Sequence, residues 1–495
     1  GLSRGGIVSK EMISTMAKDP IVFALANPEP EIGYDEATSV RKDIIMATGR
    51  SDHPNQVNNV LGFPFIFRGA LDVRATTINE EMKLAAVKAI AALAKETIPE
   101  EVIEAYGEKN ISFGREQFIP KPLDPRLIYY VAPAVAKAAM DSGVAKEPIK
   151  DWDEYEMTLK NRLGLDNKLL RNITEKAQRS PKRVVFAEAD NIKILKAAQT
   201  AWEEGVAMPI LLGNRGIIEA LIEEYAIEIQ DITIIDPKSD EEKERRTVFG
   251  KAFFEKRKRK GVTEFEAVQI MRERNHFGAM MVELGDADAM ITGITRNYRD
   301  VVRPALQIVG LQKDMSKVAG MYILDTKRGP LFLADTTINK NPTAEDIAEI
   351  TSNVAKTIRK FKVTPRVALL SYSNFGSSPG DDPSKMAKAV KLIKENDPNL
   401  VVDGELQANF ALNNALMNEK FSFSDLANKK VNTLIFPNLS AGNIAYKLLQ
   451  EMTEGDAIGP VLVGLKKSIH VLQMGSSVRE IINMVKVSVV DAQNK

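Results

Sequence analysis

No cysteine occurs in the 495 residues. That absence excludes disulfides, thiolate metal sites and a cysteine nucleophile, and it fits a reducing cytoplasm. Histidine is almost as scarce. His53, His276 and His470 lie far apart and none sits among carboxylates at ligand spacing, so no metal site built on them is expected. Neither sign of charge is in excess, because 67 Lys and Arg balance 67 Asp and Glu. No bulk field therefore favours nucleic acid or an anionic membrane, and any anion must be held by a local cluster. No uncharged apolar run approaches the ~20 residues of a membrane span. There is also no fixed-period repeat, no low-complexity segment and no Gly-x-Gly-x-x-Gly motif before Gly49. The first residues, "GLSRGG", carry no initiator Met and no signal pattern, and read as a buried strand entering a loop. The sequence is expected to open inside a structural unit, as a fragment whose upstream part is missing.

What is present is ordinary globular composition, 44% apolar and 27% charged, over a length that calls for two or three domains. "IVFALAN" (21 to 27) is a short apolar run stopped by "PEPEIG", which suits a buried strand and a ligand-side loop. "INEEMKLAAVKAIAALA" has helical spacing, and a long helix follows up to Gly143. This is α/β character without a complete set of strands. Residues 1–150 are read as one incomplete domain and 151–181 as a charged helical linker. From Lys182 a regular alternation begins. "RVVFAEA", "PILLGN", "ITIIDP", "ADAMITG", "RVALLSYS", "NLVVDGE" and "NTLIFPN" are apolar runs separated by helical segments. Such alternation predicts parallel sheets with helices on both faces over 182–495, with ligands bound beyond the carboxyl ends of the strands.

Several stretches carry chemistry. "SDHPNQVNNVLGFPFIFRGALD" packs four amide side chains beside phenylalanines. Amides both donate and accept, which suits a small hydroxy acid, although Asn-stabilised turns have the same composition. "EKRKRKGVT" (255 to 263) is a basic run with three readings: a solvated helix end, a nucleic-acid contact, or a phosphate-binding cluster. Near the end, "SIHVLQMGSSVREIINMV" places a glycine turn between a strand-like and a helix-like run. The residues before Gly475 are Gln473 and Met474, which can act neither as acid nor as base.

Together with "FALANPEPE" and "FGREQFIPKPLDPRLIYYVAPAVAKAAMDSGVA", the amide segment makes residues 1 to about 155 resemble the nicotinamide domain of large bacterial malic enzymes. The resemblance implies a Rossmann-like fold in which Asn27, Asn58 and Asn59 contact malate and the nicotinamide of NADP (or NAD). It also implies that the Tyr and Lys acid–base pair and the ligands of Mg²⁺ or Mn²⁺ lie upstream, so the fragment alone could not oxidise malate to pyruvate. The remainder, through "RKRKG", "DVVRPALQIV", "RVALLSYS", "DPNLVVDGELQ", "FPNLSAGNIAYKLLQ" and "IGPVLVGLKK", resembles phosphotransacetylases. That implies two subdomains, the second inserted at about 310–455, and coenzyme A contacts from Arg257, Arg303, Ser371, Ser373 and Ser377. In active members a Ser and an Arg occupy the positions of Gln473 and Met474, and a general-base Asp that of Glu480. The expectation is a regulatory domain that binds acetyl-CoA without acetyl transfer, in a cytoplasmic homo-oligomer. A working transferase, with Glu480 as base and Arg296 as a replacement cation, and a purely structural assembly domain are the alternatives.

Overall fold

The computed structural model describes residues 4–99, 102, 103, 106, 113–162, 168–296, 298–313, 315–326, 328–453 and 457–495. The chain divides into two compact units, Gly1–Asp166 and Asn167–Lys495. In the first unit, two parallel strands, β1 (Ile21–Ala24) and β2 (Ile45–Thr48), pair from Ile21 with Ile45 through Ala24 with Thr48. Helices α1 (Phe63–Asp72), α2 (Glu80–Leu93) and α3 (Leu127–Asp141) enclose Met82, Leu93, Leu127, Val131 and Val135. The Asn79 side chain starts α2 by accepting from the Met82 N–H, and Glu80 and Glu81 complement the positive end of the helix.

The stretch 151–181 is helical, but it is not a free linker. Helix α4 (Trp152–Arg162) belongs to the first unit, where Trp152 and Tyr155 join the helical core and the Tyr155 hydroxyl donates to Asp72 at 2.7 Å. Helix α5 (Lys168–Arg179) belongs to the second unit and buries Leu169, Ile173 and Ala177. Those residues share one helix face, so the apolar stripe requires a partner.

The second unit contains two sheets. The first has the order β13-β6-β3-β4-β5, all parallel: β3 (Lys182–Phe186), β4 (Ala207–Leu212), β5 (Thr233–Ile235), β6 (Ala289–Thr292) and β13 (Ser468–Val471). The second has the order β10-β9-β11-β8-β7-β12. Its strands are β7 (Ala319–Leu324), β8 (Leu331–Ala334), β9 (Arg366–Leu370), β10 (Val401–Leu406), β11 (Thr433–Ile435) and β12 (Ala457–Val463). This sheet is mixed, because β7 runs antiparallel to both β8 and β12. The chain leaves the first sheet after β6 and returns in β13, so the insertion takes in β12 and passes the expected boundary near 455. Strands β6 and β8 are buried at every position, because both faces of each sheet are covered. The helices that matter below are α6 (Lys243–Arg257), α7 (Arg274–Leu284), α8 (Tyr298–Ile308), α9 (Ala344–Lys360), α10 (Leu439–Met452) and α11 (Val478–Ala492). One core, including Phe186, Ile291, Met321, Phe332, Val354 and Val487, draws on both sheets.

Buried carboxylates fix the loops at the carboxyl ends of the strands. Glu188, two residues past β3, accepts from the N–H groups of Gly293 at 3.0 Å, Ile294 at 2.6 Å and Thr295 at 3.3 Å, and from the Thr295 hydroxyl at 2.9 Å. Asp335, just after β8, accepts from the N–H groups of Gly320, Thr337, Ile338 and Asn339. Glu405 of β10 accepts from Gly376 N–H at 2.6 Å and the Ser373 hydroxyl at 3.0 Å. Glu188→Gln keeps the volume and removes the charge, so it should lower the stability of the second unit by roughly 1.5–3 kcal/mol. Urea unfolding read through Trp202 in a Trp152→Phe background checks this. An unchanged midpoint would mean that the loop does not depend on the carboxylate.

Candidate functional site

Strand β13 ends at Val471, and the Leu472 N–H donates to the Thr292 carbonyl at 2.7 Å, which keeps the next turn beside the loop leaving β6. Gly475, with φ of 87°, makes the turn, and α11 then starts from a reciprocal cap. The Ser477 hydroxyl accepts from the Glu480 N–H at 3.2 Å, while the Glu480 carboxylate accepts from the Ser477 N–H at 2.9 Å. Glu480 therefore holds the helix start rather than facing a reactant freely. Gln473 points inward. Its side-chain amide donates to the Tyr446 hydroxyl at 2.9 Å and also to that of Tyr322. The two tyrosine rings stack at 4.0 Å with an interplanar angle of 12°, and both are buried. Met474, by contrast, is 67% exposed. The turn thus offers a tethered amide and a solvent-facing thioether, neither of which stabilises a developing anion by charge.

Two helices of the same unit carry cations. Helix α8 begins after the loop leaving β6, so Arg303 lies on its second turn, exposed and without an ion pair among the described residues. Arg257 is the last residue of α6, and its Nε is buried without a hydrogen-bond partner among the described residues. A buried donor left open is costly unless a ligand completes it. Phe253, one turn before Arg257, meets His276 of α7 edge-on at 5.9 Å. The His276 pKa is pushed down to about 4, chiefly by burial and further by Arg303, against opposing effects of Glu273 and Gln307. His276 is neutral at pH 7 and does not add to the cationic charge. Arg296 is exposed and close enough to Asp190 to help lower its pKa, although the main cause is the Arg274 pair at 2.6 and 2.8 Å.

The serine loop is largely self-contained. Ser373 is fully buried, donates to Glu405 and accepts from the Ser378 N–H at 3.0 Å. Parallel pairing of β9 and β10 brings Glu405 beneath it, and its hydroxyl is turned onto that carboxylate rather than to the surface. Ser377 is exposed but accepts from the Asn374 N–H at 2.9 Å, and half-buried Ser371 accepts from the Ser373 N–H at 3.3 Å. In the first unit, Asn27 follows β1 and is exposed, as is Asn59; neither side chain meets a hydrogen-bond partner among the described residues. Asn58 caps a short turn by accepting from the Val60 N–H at 3.0 Å. Asn55, the most buried of the four amides, is structural: it donates to the Met46 and Arg115 carbonyls and accepts from the Phe118 N–H. His53 stacks on Tyr34 at 4.9 Å. No group of three His, Asp or Glu side chains comes together among the described residues.

Residues 168–489 match the family described as phosphate acetyl/butaryl transferase. The chain belongs to that family. Residues 2–105 match the malic enzyme, NAD binding domain, so the two resemblances are joined in one polypeptide. The whole chain is similar to the NADP-dependent malic enzyme of Escherichia coli (strain K12), at 45% identity over 500 residues, covering 100% of this chain and 65% of that protein. The corresponding protein of Haemophilus influenzae is 44% identical over 499 residues, with 100% and 66% covered. The chain spans just under two thirds of the length of these relatives. A phosphotransacetylase from Staphylococcus aureus shares the fold with a TM-score of 0.61 and 31% identity, over 66% of this chain and 98% of that one.

The transferase-family unit also has a stated pH response. A histidine in the unfolded chain takes up its proton near pH 6.5, whereas His276 in the folded protein does so only at about 4. Its contribution to stability is whole above pH 6.5 and is lost as the pH falls from 6.5 towards 4. The fully buried His470, also lowered by burial, acts in the same direction. His276→Gln is expected to flatten, though not abolish, the fall in melting temperature over that window. An identical profile for variant and parent would contradict the assignment.

Proposed function

We propose that this chain is part of a malic enzyme that converts malate to pyruvate and CO₂ with hydride transfer to NADP, and that its transferase-family unit senses acetyl-CoA without transferring acetyl. The observation that carries the reading is the division of labour around the turn at 473–475. The Gln473 amide is taken up by Tyr322 and Tyr446, and Met474 presents no charge, at the positions where transferring relatives are understood to use Ser and Arg. Loss of one preorganised donor to a developing oxyanion typically removes about 3 to 4 kcal/mol of transition-state stabilisation. Glu480, the one carboxylate retained there, is engaged at the start of α11. Groups suited to binding, however, are present: among the described residues Arg257 has an open buried donor and Arg303 no ion-pair partner. Guanidinium groups suit phosphate oxygens, and a chain of zero net charge must hold a polyanion by such local groups.

For the first unit, the reading rests on Asn27, in the loop after β1, and Asn59, at the start of a short helical turn, two exposed amides with no side-chain partner among the described residues. They are suited to the carboxylate and hydroxyl of malate and to the carboxamide of the nicotinamide. The cofactor, when bound, accepts the hydride; the contribution assigned to this chain is to orient the reactants. Acetyl-CoA lies downstream of pyruvate, so feedback inhibition gives the retained cleft a use, in a cytoplasmic homo-oligomer. Arg257→Ala and Arg303→Ala should each weaken acetyl-CoA binding roughly ten- to a hundredfold, with melting temperature unchanged. Calorimetry on the whole chain reads this directly. Unaltered affinity in both variants would remove the cleft from the account.

A further inference from the structure

The second unit contains a cavity of about 320 Å³ at the far end of α11 from the turn described above. The 15 residues of α11 separate the two places by roughly 22 Å at 1.5 Å per residue. Its walls come from α9, from the end of α11 and the residues after it, and from the connection between β12 and β13. Asn353, Lys356 and Lys360 share one face of α9, Lys466 enters from the connection, and Lys495 follows α11. Among the described residues, four lysines thus line the cavity against one carboxylate side chain, Asp491.

That carboxylate is already committed. Lys360 reaches it at 3.0 Å, Lys495 at 2.5 Å and His470 at 3.4 Å. Burial opposes its ionisation, but Lys495, His470 and Lys360 together hold its pKa far below the usual range. Lys356 and Lys466 are exposed and have no carboxylate partner among the described residues. Asn353 supplies a second, independent signal: it is only 6% exposed, it lines the cavity, and its side-chain amide meets no hydrogen-bond partner among the described residues. Lysines that merely complement helix C-termini would account for Lys360 and Lys495. That explanation does not reach Lys356, a turn inside α9, Lys466 on a connection, or the open amide of Asn353.

We propose that this cavity binds a compact oxyanion carrying two or more negative charges. The volume lies at the small end of ligand pockets, suited to a phosphate or a small polycarboxylate and too small for a coenzyme A. Lysine ammonium groups, as rotatable point charges, fit such an ion without requiring the planar geometry that arginine reads. Lys356 and Lys466 supply charge, and Asn353 supplies a donor from the wall.

The test is calorimetric titration of the whole chain with pyrophosphate, and separately with citrate, at constant ionic strength set by sodium chloride. Saturable binding of either ion is expected, and the tighter of the two identifies the source of the chemistry. The double variant Lys356→Gln, Lys466→Gln should weaken it roughly tenfold or more. Asn353→Asp, similar in size and repelling an anion, should do the same, while Arg257→Ala with Arg303→Ala should leave it intact. Both lysines are exposed, so the melting temperature without ligand should not move. Absence of saturable binding, or binding indifferent to the lysine pair, would overturn the proposal, as would loss in the arginine pair alone.

Discussion

The ligand-side loops of the second unit depend on buried carboxylates accepting backbone N–H groups at the ends of strands. Glu188, Asp335 and Glu405 each tie an adjoining loop, and each does so from a buried position. A charged acceptor strengthens such hydrogen bonds, and the surrounding apolar core makes the alternative, an unpaired N–H, costly. The consequence for function is direct. The N–H groups at 293–295 already hold Glu188, so on the proposed reading a phosphorylated ligand must be held by side chains on the neighbouring helices. Arg257 and Arg303 occupy such positions.

A group that stabilises a transition state must be free to meet charge as it develops. Gln473 is not free, because its amide joins β13 of one sheet to Tyr322 and Tyr446 of the other subdomain. That tether makes residue 473 a structural contact between the two subdomains. The cationic cavity at the far end of α11 is a different electrostatic environment, built from lysines around a single shared carboxylate. One helix therefore starts at the altered turn and ends at the lysine cluster.

Much of this was legible in the sequence because the informative segments are contiguous. The α/β alternation from Lys182, the basic run around Arg257, and the unreactive pair Gln473–Met474 are each local patterns. Relations between distant residues were not legible. Tyr322 and Tyr446 come from a strand and a helix far apart in the chain, and nothing near either residue marks it as a partner of Gln473. Ser373 looked available in its motif, yet parallel pairing of β9 and β10 turns it onto Glu405. Strand β12 contains Gly459 and Pro460, and its place at the edge of the sheet accommodates a proline that has no N–H to donate. Helix α5 was charged enough to pass for a linker, although Leu169, Ile173 and Ala177 bury one face. The four amides of residues 55–59 could not be sorted by composition, since only folding shows Asn55 satisfied inside and Asn59 open outside.

The central claim is that this unit retains a coenzyme A cleft and lacks acetyl-transfer chemistry, and one paired measurement addresses both halves. Acetyl-CoA binding by calorimetry and acetyl phosphate formation from acetyl-CoA and phosphate are followed in the same preparation of the unmodified chain. The account requires saturable binding with acetyl phosphate formation no faster than in the absence of protein. Robust acetyl phosphate formation would contradict it, because Gln473 and Met474 could then no longer be regarded as having replaced the reacting groups.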